Sequence, residues 1–239
     1  MPPAGGPRDA GRRSAGRGAG SPVVRELGDL PYAAELTPLI GDLEPEGLYE
    51  LVRAEGVTFE ETQAQECRFV ESALSGATFD GGSLRRARFT DVWFGAVRWV
   101  GVDLSGTEWV DVEVGASALA GIGMYSARLR RVRFVGCKFD SVNLRDTTLV
   151  DVDFVDCLLR DVDLAGAALQ GVRFEGSTLD RVRLAGVRLR AVDLRGATSL
   201  GISDGVDCLR GATINSAQLM DLAPLLAQAV GMEVRDHDG

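Results

Sequence analysis

From Gly56 the chain divides into fives, with no insertion, as far as Arg195. It reads GVTFE, ETQAQ, ECRFV, ESALS, GATFD and onward to AVDLR, 28 pentads in 140 residues. The fourth place holds Phe nine times, Leu fourteen times and Trp twice (Trp99, Trp109), with Ala64, Val114 and Met124 once each. Every Phe of the chain stands in this column. The second place accepts only Val, Ile, Ala, Thr, Ser, Cys or Gly. The remaining three places are mostly polar, charged or Gly.

A period of five fits neither the 3.6 of a helix nor the alternation of a plain strand. It fits a chain that turns a corner every five residues. The second and fourth places lie two apart, so on an extended segment both point to one side. With that side inward, each pentad gives the core one small and one large residue. Four pentads close a square coil of about 20 residues, and coils stack at the strand spacing of about 4.8 Å. The 28 pentads make seven such coils, about 34 Å of solenoid.

The second- and fourth-place pattern resembles the pentapeptide-repeat family, whose consensus is A-[DN]-L-x-x with a central Leu or Phe. The resemblance covers residues 56–220 and implies an all-β fold, a right-handed quadrilateral parallel β-helix with short C-terminal capping helices. Trp99, Trp109, Val114, Met124 and the glycines of GIGMY depart from the usual filling, and distorted coils are expected there. The frame falters at GATSLGISDGVDCLR (196–210), where Ser199 and Asp204 fall on core places that a packed interior rejects. A loop or partial coil is expected, after which GATIN and SAQLM return to frame.

Outside the repeat, residues 1–22 are Gly, Ala, Arg, Ser and Pro without apolar periodicity and are expected to be a disordered basic tail. Residues 23–55 hold eight acidic and two basic residues and can cover the first open end of the solenoid. Residues 221–239 complete a C-terminal helical cap and tail. Asn215 or Ser216 can cap that helix, Pro224 is expected to start a second short one, and Gly231 ends it. Leu219, Leu222, Leu225 and Leu226 form its apolar stripe, available for capping or for the C-terminal dimer contact that the family resemblance suggests.

The formal net charge of −9 argues against direct nucleic-acid binding by the whole chain. No apolar run reaches membrane-spanning length, and the N-terminus lacks the apolar stretch of an export signal, so the expected location is the cytoplasm. One Lys beside 25 Arg suggests a high-GC bacterial source. The four cysteines form no C-x-x-C pair and only His237 is present, so neither a zinc site nor a catalytic triad can be assembled. No phosphate-binding glycine loop is present, and no cofactor, metal or enzymatic activity is expected.

Dealing the pentads onto four faces in rotation separates charge. The face containing 66–70 carries four acidic and eight basic residues through 220, and the face containing 71–75 carries eight acidic and four basic. Arg68, Arg88, Arg128, Arg130, Arg188 and Arg190, interrupted by Glu108, mark the first as a candidate interaction face for an anion or an acidic partner, with a protein partner expected. The expected function is a structural or protein-interaction scaffold. The alternative, taken from the quinolone-resistance branch of the family, is mimicry of DNA toward a type II topoisomerase.

The repeated Asp-Val-Asp at 151–153 and 161–163 invites a metal reading. The rotation instead puts the two pairs on opposite faces. It predicts charge ladders along each face: Glu113, Arg133, Asp153, Arg173, Asp193; Asp111, Arg131, Asp151; Asp161 with Arg181; and Asp163 with Arg183.

Overall fold

The computed structural model describes residues 25–235. It is an all-parallel, right-handed quadrilateral β-solenoid of about eight turns with one C-terminal helix. Three sides are parallel sheets and the fourth is a column of single bridges. Sheet A has ten strands, from Thr37–Pro38 through Ala73–Ser75, Trp93–Gly95 and Glu113–Gly115 to Ala212–Thr213. Sheet B has eight, from Leu48–Glu50 to Arg188–Arg190, and sheet C eight, from Thr58–Glu60 to Ser199–Asp204. On side D the bridges run Gln63, Ser83, Asp103, Gly123, Asn143, Asp163, Arg183. The expected tail 1–22 and His237 lie outside the described residues.

The register is 20 residues per coil. Trp99 pairs with Phe79 below and Leu119 above, and Phe154 with Phe134 and Phe174. Fourth-place side chains therefore stack on their own kind. Phe79 lies on Trp99 with ring centroids 4.1 Å apart and planes 3° apart, and Phe134, Phe154 and Phe174 form a second stack. Each buried aromatic removes roughly 150–250 Å² from water, so these columns are the main source of stability.

The second place is small because it sits where the chain bends. There its hydroxyls also satisfy backbone groups that the corner leaves unpaired: Ser117 Oγ accepts the Val97 N–H and donates to the Gly115 carbonyl, both at 2.9 Å. Thr107 accepts the Trp109 indole N–H at 2.9 Å, which lets that ring sit in the core. Among the described residues no buried side-chain polar atom lacks a partner.

The first place has a cause the composition alone conceals. All 28 first-place residues from Gly56 to Ala191 have positive φ, between 45° and 71°. The left-handed corner excludes β-branched side chains, and none of the 28 is β-branched.

Three sequence expectations are corrected. The middle is not distorted: the Trp-bearing strands keep their register on both sides. One coil holds Trp99, Leu104, Trp109 and Val114, so the small Val114 offsets the two indoles within the same layer. Residues 199–204 are a strand, not a loop. One extra residue before Ser199 puts Leu200 over Leu179, a register shift then brings Ile202 over Val182 and a second sets Asp204 opposite Arg183; Ser199 and Asp204 are exposed, and Val192 and Ala212 pair again at 20 residues. Finally, Pro224 does not divide the C-terminal segment. A single helix, α1, spans Ser216–Ala229 with Pro224 on its exposed side, where water can serve the carbonyl left free.

Helix α1 starts within SAQLM, the last pentad of the sequence frame. Asn215 and Gln218 form a reciprocal capping box, and Gln218 Nε2 donates to the Leu194 and Ala197 carbonyls at 2.7 and 3.1 Å. The cap thus binds open carbonyls of the last coil as well as covering its apolar end. At the other end the ladder begins before the pentad frame, since Leu48–Glu50 pairs with Arg68–Val70 and Thr37 with Val52.

Candidate interaction surface

The core is filled, so the chemistry lies on the outward third and fifth places. On sheet B, Arg68, Arg88, Arg128, Arg130, Arg188 and Arg190 are all exposed over a run of seven coils, about 29 Å from first to last at the strand spacing. Glu108 answers two of them, Arg88 at 3.4 Å and Arg128 at 3.2 Å. Arg68, Arg130, Arg188 and Arg190 have no ion-pair partner among the described residues. Between the upper and lower arginines, Thr148, Val150, Ala168 and Gln170 leave a shallow depression of about 180 Å³. Arg188 and Arg190 line its upper side.

Sheet A and side D carry the ladders. Arg131 grips Asp111 through two nitrogens at 2.5 Å, Arg181 grips Asp161 at 2.7 and 2.6 Å, and Arg173 grips Asp153. The guanidinium hydrogen bonds hold the Asp111 and Asp161 carboxyls below the usual carboxylate range. Asp163 accepts from Arg145 at 2.7 Å and lies 3.7 Å from Arg183.

Four expected rungs form no ion pair: Glu113–Arg133, Arg133–Asp153, Arg173–Asp193 and Arg131–Asp151. Asp193 turns to Arg195 in its own coil at 2.7 Å, and Glu113 is taken by Arg25 at 2.8 Å, which leaves Arg133 without an ion pair.

Each aspartate of the two Asp-Val-Asp pairs has a place in the coil. Asp151 and Asp161 are left-handed corners. Asp163 Oδ1 also accepts the Ala165 N–H at 3.0 Å, closing the turn that ends its side, as Asp103 does for Ser105 at 2.9 Å. Among the described residues no group of three His, Cys, Asp or Glu side chains could hold a metal ion.

Of the four leucines on α1, Leu222 is buried and Leu226 packs on the core, while Leu219 and Leu225 face out beside Met220. Cysteines 67, 137 and 157 are buried, none of the four is bonded, and burial pushes the Cys67 thiol up to about 12.

Sequence reasoning missed one site. Residues 25–36 do not cover the open end of the solenoid; they run up the outside of sheet A. The signal was present: Ala73, Trp93, Gly95 and Gly115 interrupt with apolar or small residues a set of outward places otherwise rich in charge.

These features define the class: a β-solenoid with an apolar core and charged outer faces. A family model described as pentapeptide repeat region matches residues 107–184, and one described as pentapeptide repeats (8 copies) matches residues 55–91. With the unbroken pentads, they show that the chain is a pentapeptide-repeat protein.

Similar solved structures include HetL, a pentapeptide-repeat protein involved in heterocyst differentiation regulation from the cyanobacterium Nostoc sp. strain PCC 7120. It has a TM-score of 0.44 and 15% identity, over 72% of this chain and 91% of that one. A trypsin-treated variant of QnrB1, a plasmid-mediated fluoroquinolone resistance protein, gives 0.43 and 15% over 83% and 96%. Rfr23, a pentapeptide-repeat protein from the cyanobacterium Cyanothece 51142, gives 0.35 and 20% over 43% and 64%. No curated protein matches the chain in sequence. Among the described residues no helix is long and apolar enough to cross a membrane.

Proposed function

We propose that the protein is a non-enzymatic interaction scaffold of the cytoplasm whose sheet B docks an acidic segment of a partner protein. The supporting observation is the row of exposed arginines, of which Arg68, Arg130, Arg188 and Arg190 have no ion-pair partner among the described residues. Guanidinium groups left unpaired at regular intervals cost little in water, and they gain charge-assisted hydrogen bonds when carboxylates arrive. Arg128 and Arg130 stand three coils from Arg188 and Arg190, about 14 Å, a span of four or five extended residues. Four unbonded cysteines agree with a reducing compartment.

The test is fluorescence anisotropy with a labelled ten-residue Asp/Glu-rich peptide against the full chain. Binding that falls with added salt is expected to be lost in the triple variant Arg130→Glu, Arg188→Glu, Arg190→Glu and kept in Arg98→Glu on sheet C. Equal binding by both variants overturns the reading.

The topoisomerase alternative calls for carboxylates in a continuous stripe, as DNA presents phosphates. On sheet A, acids alternate with arginines that grip them, so the alternative draws no support from this surface. Inhibition of gyrase supercoiling by the purified protein would restore it.

A further inference from the structure

Residues 25–36 lie on sheet A without joining its ladder. Two short 3-10 turns, Leu27–Asp29 and Ala33–Glu35, carry the chain from Thr37, which pairs with Val52 in the first coil, up to Glu113 three coils higher. Leu30 and Tyr32 are buried with Ala73 and Trp93 in a small apolar cluster separate from the main core. The Tyr32 hydroxyl donates to the Asp91 carbonyl at 2.6 Å, and the Trp93 indole donates to the Arg25 carbonyl at 3.1 Å. Arg25 closes the upper end, its N–H and Nε each 2.8 Å from one oxygen of Glu113, a carboxylate only 4% exposed.

The floor is shaped for this cover. A Cβ added at Gly95 would stand 2.1 Å from the Trp93 ring, so the indole lies flat only because position 95 has no side chain. Beneath, the pairing of Ala73–Ser75 with Trp93–Gly95 and of these with Glu113–Gly115 is complete without the covering segment. One coil above Glu113, Arg133 is in register with it and has no ion pair among the described residues, and both line an open cleft of about 540 Å³ at the Arg25 end.

We propose that residues 25–36 are a releasable strap filling a peptide-binding groove of sheet A, and that Glu113 passes from Arg25 to Arg133 when the strap lifts. The exchange lowers the cost of opening, because Glu113 gives up a hydrogen-bonded ion pair to Arg25 and gains another cation. The ladder partner that the register provides stands ready for it.

The opened groove presents Trp93 and Ala73 beside Glu113. It takes a partner segment of the strap's own chemistry: a basic residue for Glu113, followed five and seven residues later by an aliphatic and an aromatic side chain. This groove is on a different side from the arginines of sheet B, so neither proposal depends on the other.

Hydrogen exchange on the full chain tests the strap. Amides of 26–36 are expected to exchange through an opening far more frequent than that of the sheet A strands beneath. Arg25→Ala should speed their exchange about tenfold or more, the loss of a hydrogen-bonded ion pair to a buried group. Arg133→Gln should slow it, because the open state then strands Glu113.

A labelled peptide of residues 23–38 supplies the second readout. It should bind the full-length Arg25→Ala protein, while the same peptide carrying Arg25→Ala should not. Exchange of 26–36 at the rate of the underlying strands, no slowing in Arg133→Gln, or no peptide binding overturns the proposal.

Discussion

Arg173 stands one coil above Asp153 and takes both of its carboxylate oxygens, Nε to Oδ1 at 2.6 Å and Nη2 to Oδ2 at 2.8 Å. The two residues are 20 apart in sequence and opposite each other in register. The same grip recurs from Arg131 to Asp111 and from Arg181 to Asp161. Each pair is exposed, so its energetic effect is modest, and its larger consequence is that a coil displaced by one pentad loses its partners.

Removing one grip should therefore cost little but measurably. Arg173→Gln is expected to destabilise by about 0.2–1 kcal/mol. Arg133→Gln, in the same column without an ion pair, should leave the melting temperature within error. Thermal melts of the two variants at low and high salt make the comparison. A loss for Arg173→Gln that persists in 1 M salt would mean that packing of its stem, not charge, is what it supplies.

The corner column gives a sharper test. Gly171 has φ +64°, and an added Cβ would lie 2.5 Å from Asp151 Oδ1 in the coil below; Gly101 has φ +62° and nothing within 4 Å. Gly101→Ala should cost about 1–2 kcal/mol, the left-handed backbone penalty alone. Gly171→Ala should cost that plus the displacement of Asp151. Equal losses in urea titrations would mean the Asp151 side chain moves aside freely.

How much of this was legible can be judged from particular residues. The two inward columns fix coil size, register and which residues stack, because burial leaves only apolar side chains there; Phe79 under Trp99 follows from counting to 20. The reason for the first column was not legible. Gly, Asp, Ser and Arg look like solvent-facing choices, yet all share a backbone requirement that only φ reveals. The rung from Glu113 to Arg133 failed because the register says who is opposite whom, not whether a distant segment has come between. Arg25 is 88 residues from Glu113, and no period in the sequence links them. The arginines of sheet B were readable from rotation alone, since that side is free of such a cover.

Layer filling provides a compensation experiment. Val114 shares its coil with Trp99 and Trp109, and is buried at 1% exposure. Val114→Phe restores the usual side chain yet adds volume to a full layer, so a loss of about 1–3 kcal/mol is expected. The double variant Val114→Phe, Trp109→Leu should recover part of that loss. Additive losses in a double-mutant cycle would mean the two positions do not share space.

The outward side of α1 is an exposed apolar surface. Leu219 and Met220 are 49% and 73% exposed, and Leu225 is 38% exposed. If a second copy covers this side, sedimentation equilibrium will show a dimer that Leu219→Glu with Leu225→Glu converts to a monomer of unchanged melting temperature. Leu222→Glu should instead unseat the cap and lower the melting temperature, because Leu222 is buried against the last coil. A monomer at all concentrations would assign the helix to capping alone.

The strap has a pH signature of its own. Burial, followed by the nearby charge of Asp91, pushes the Tyr32 hydroxyl from 10.0 up to about 12. A raised acid pKa means the docked state holds its proton more tightly than the undocked one. The contribution of Tyr32 to docking is therefore whole below about pH 10, falls above it, and is gone once the pH passes about 12. Absorbance at 295 nm across this range should show tyrosinate appearing late for Tyr32, and burial raises Tyr49 as well, so Tyr49→Phe is the control that isolates the Tyr32 signal. Trp93 emission should shift to the red as the phase completes, because its indole loses both the Arg25 carbonyl and the apolar cover. Tyr32→Phe removes one tyrosine from the late phase and abolishes the pH dependence of the Trp93 shift, while the coils below keep their circular dichroism. A Tyr32→Phe protein whose titration differs from wild type only in the early phase would place that ring in water, away from Asp91.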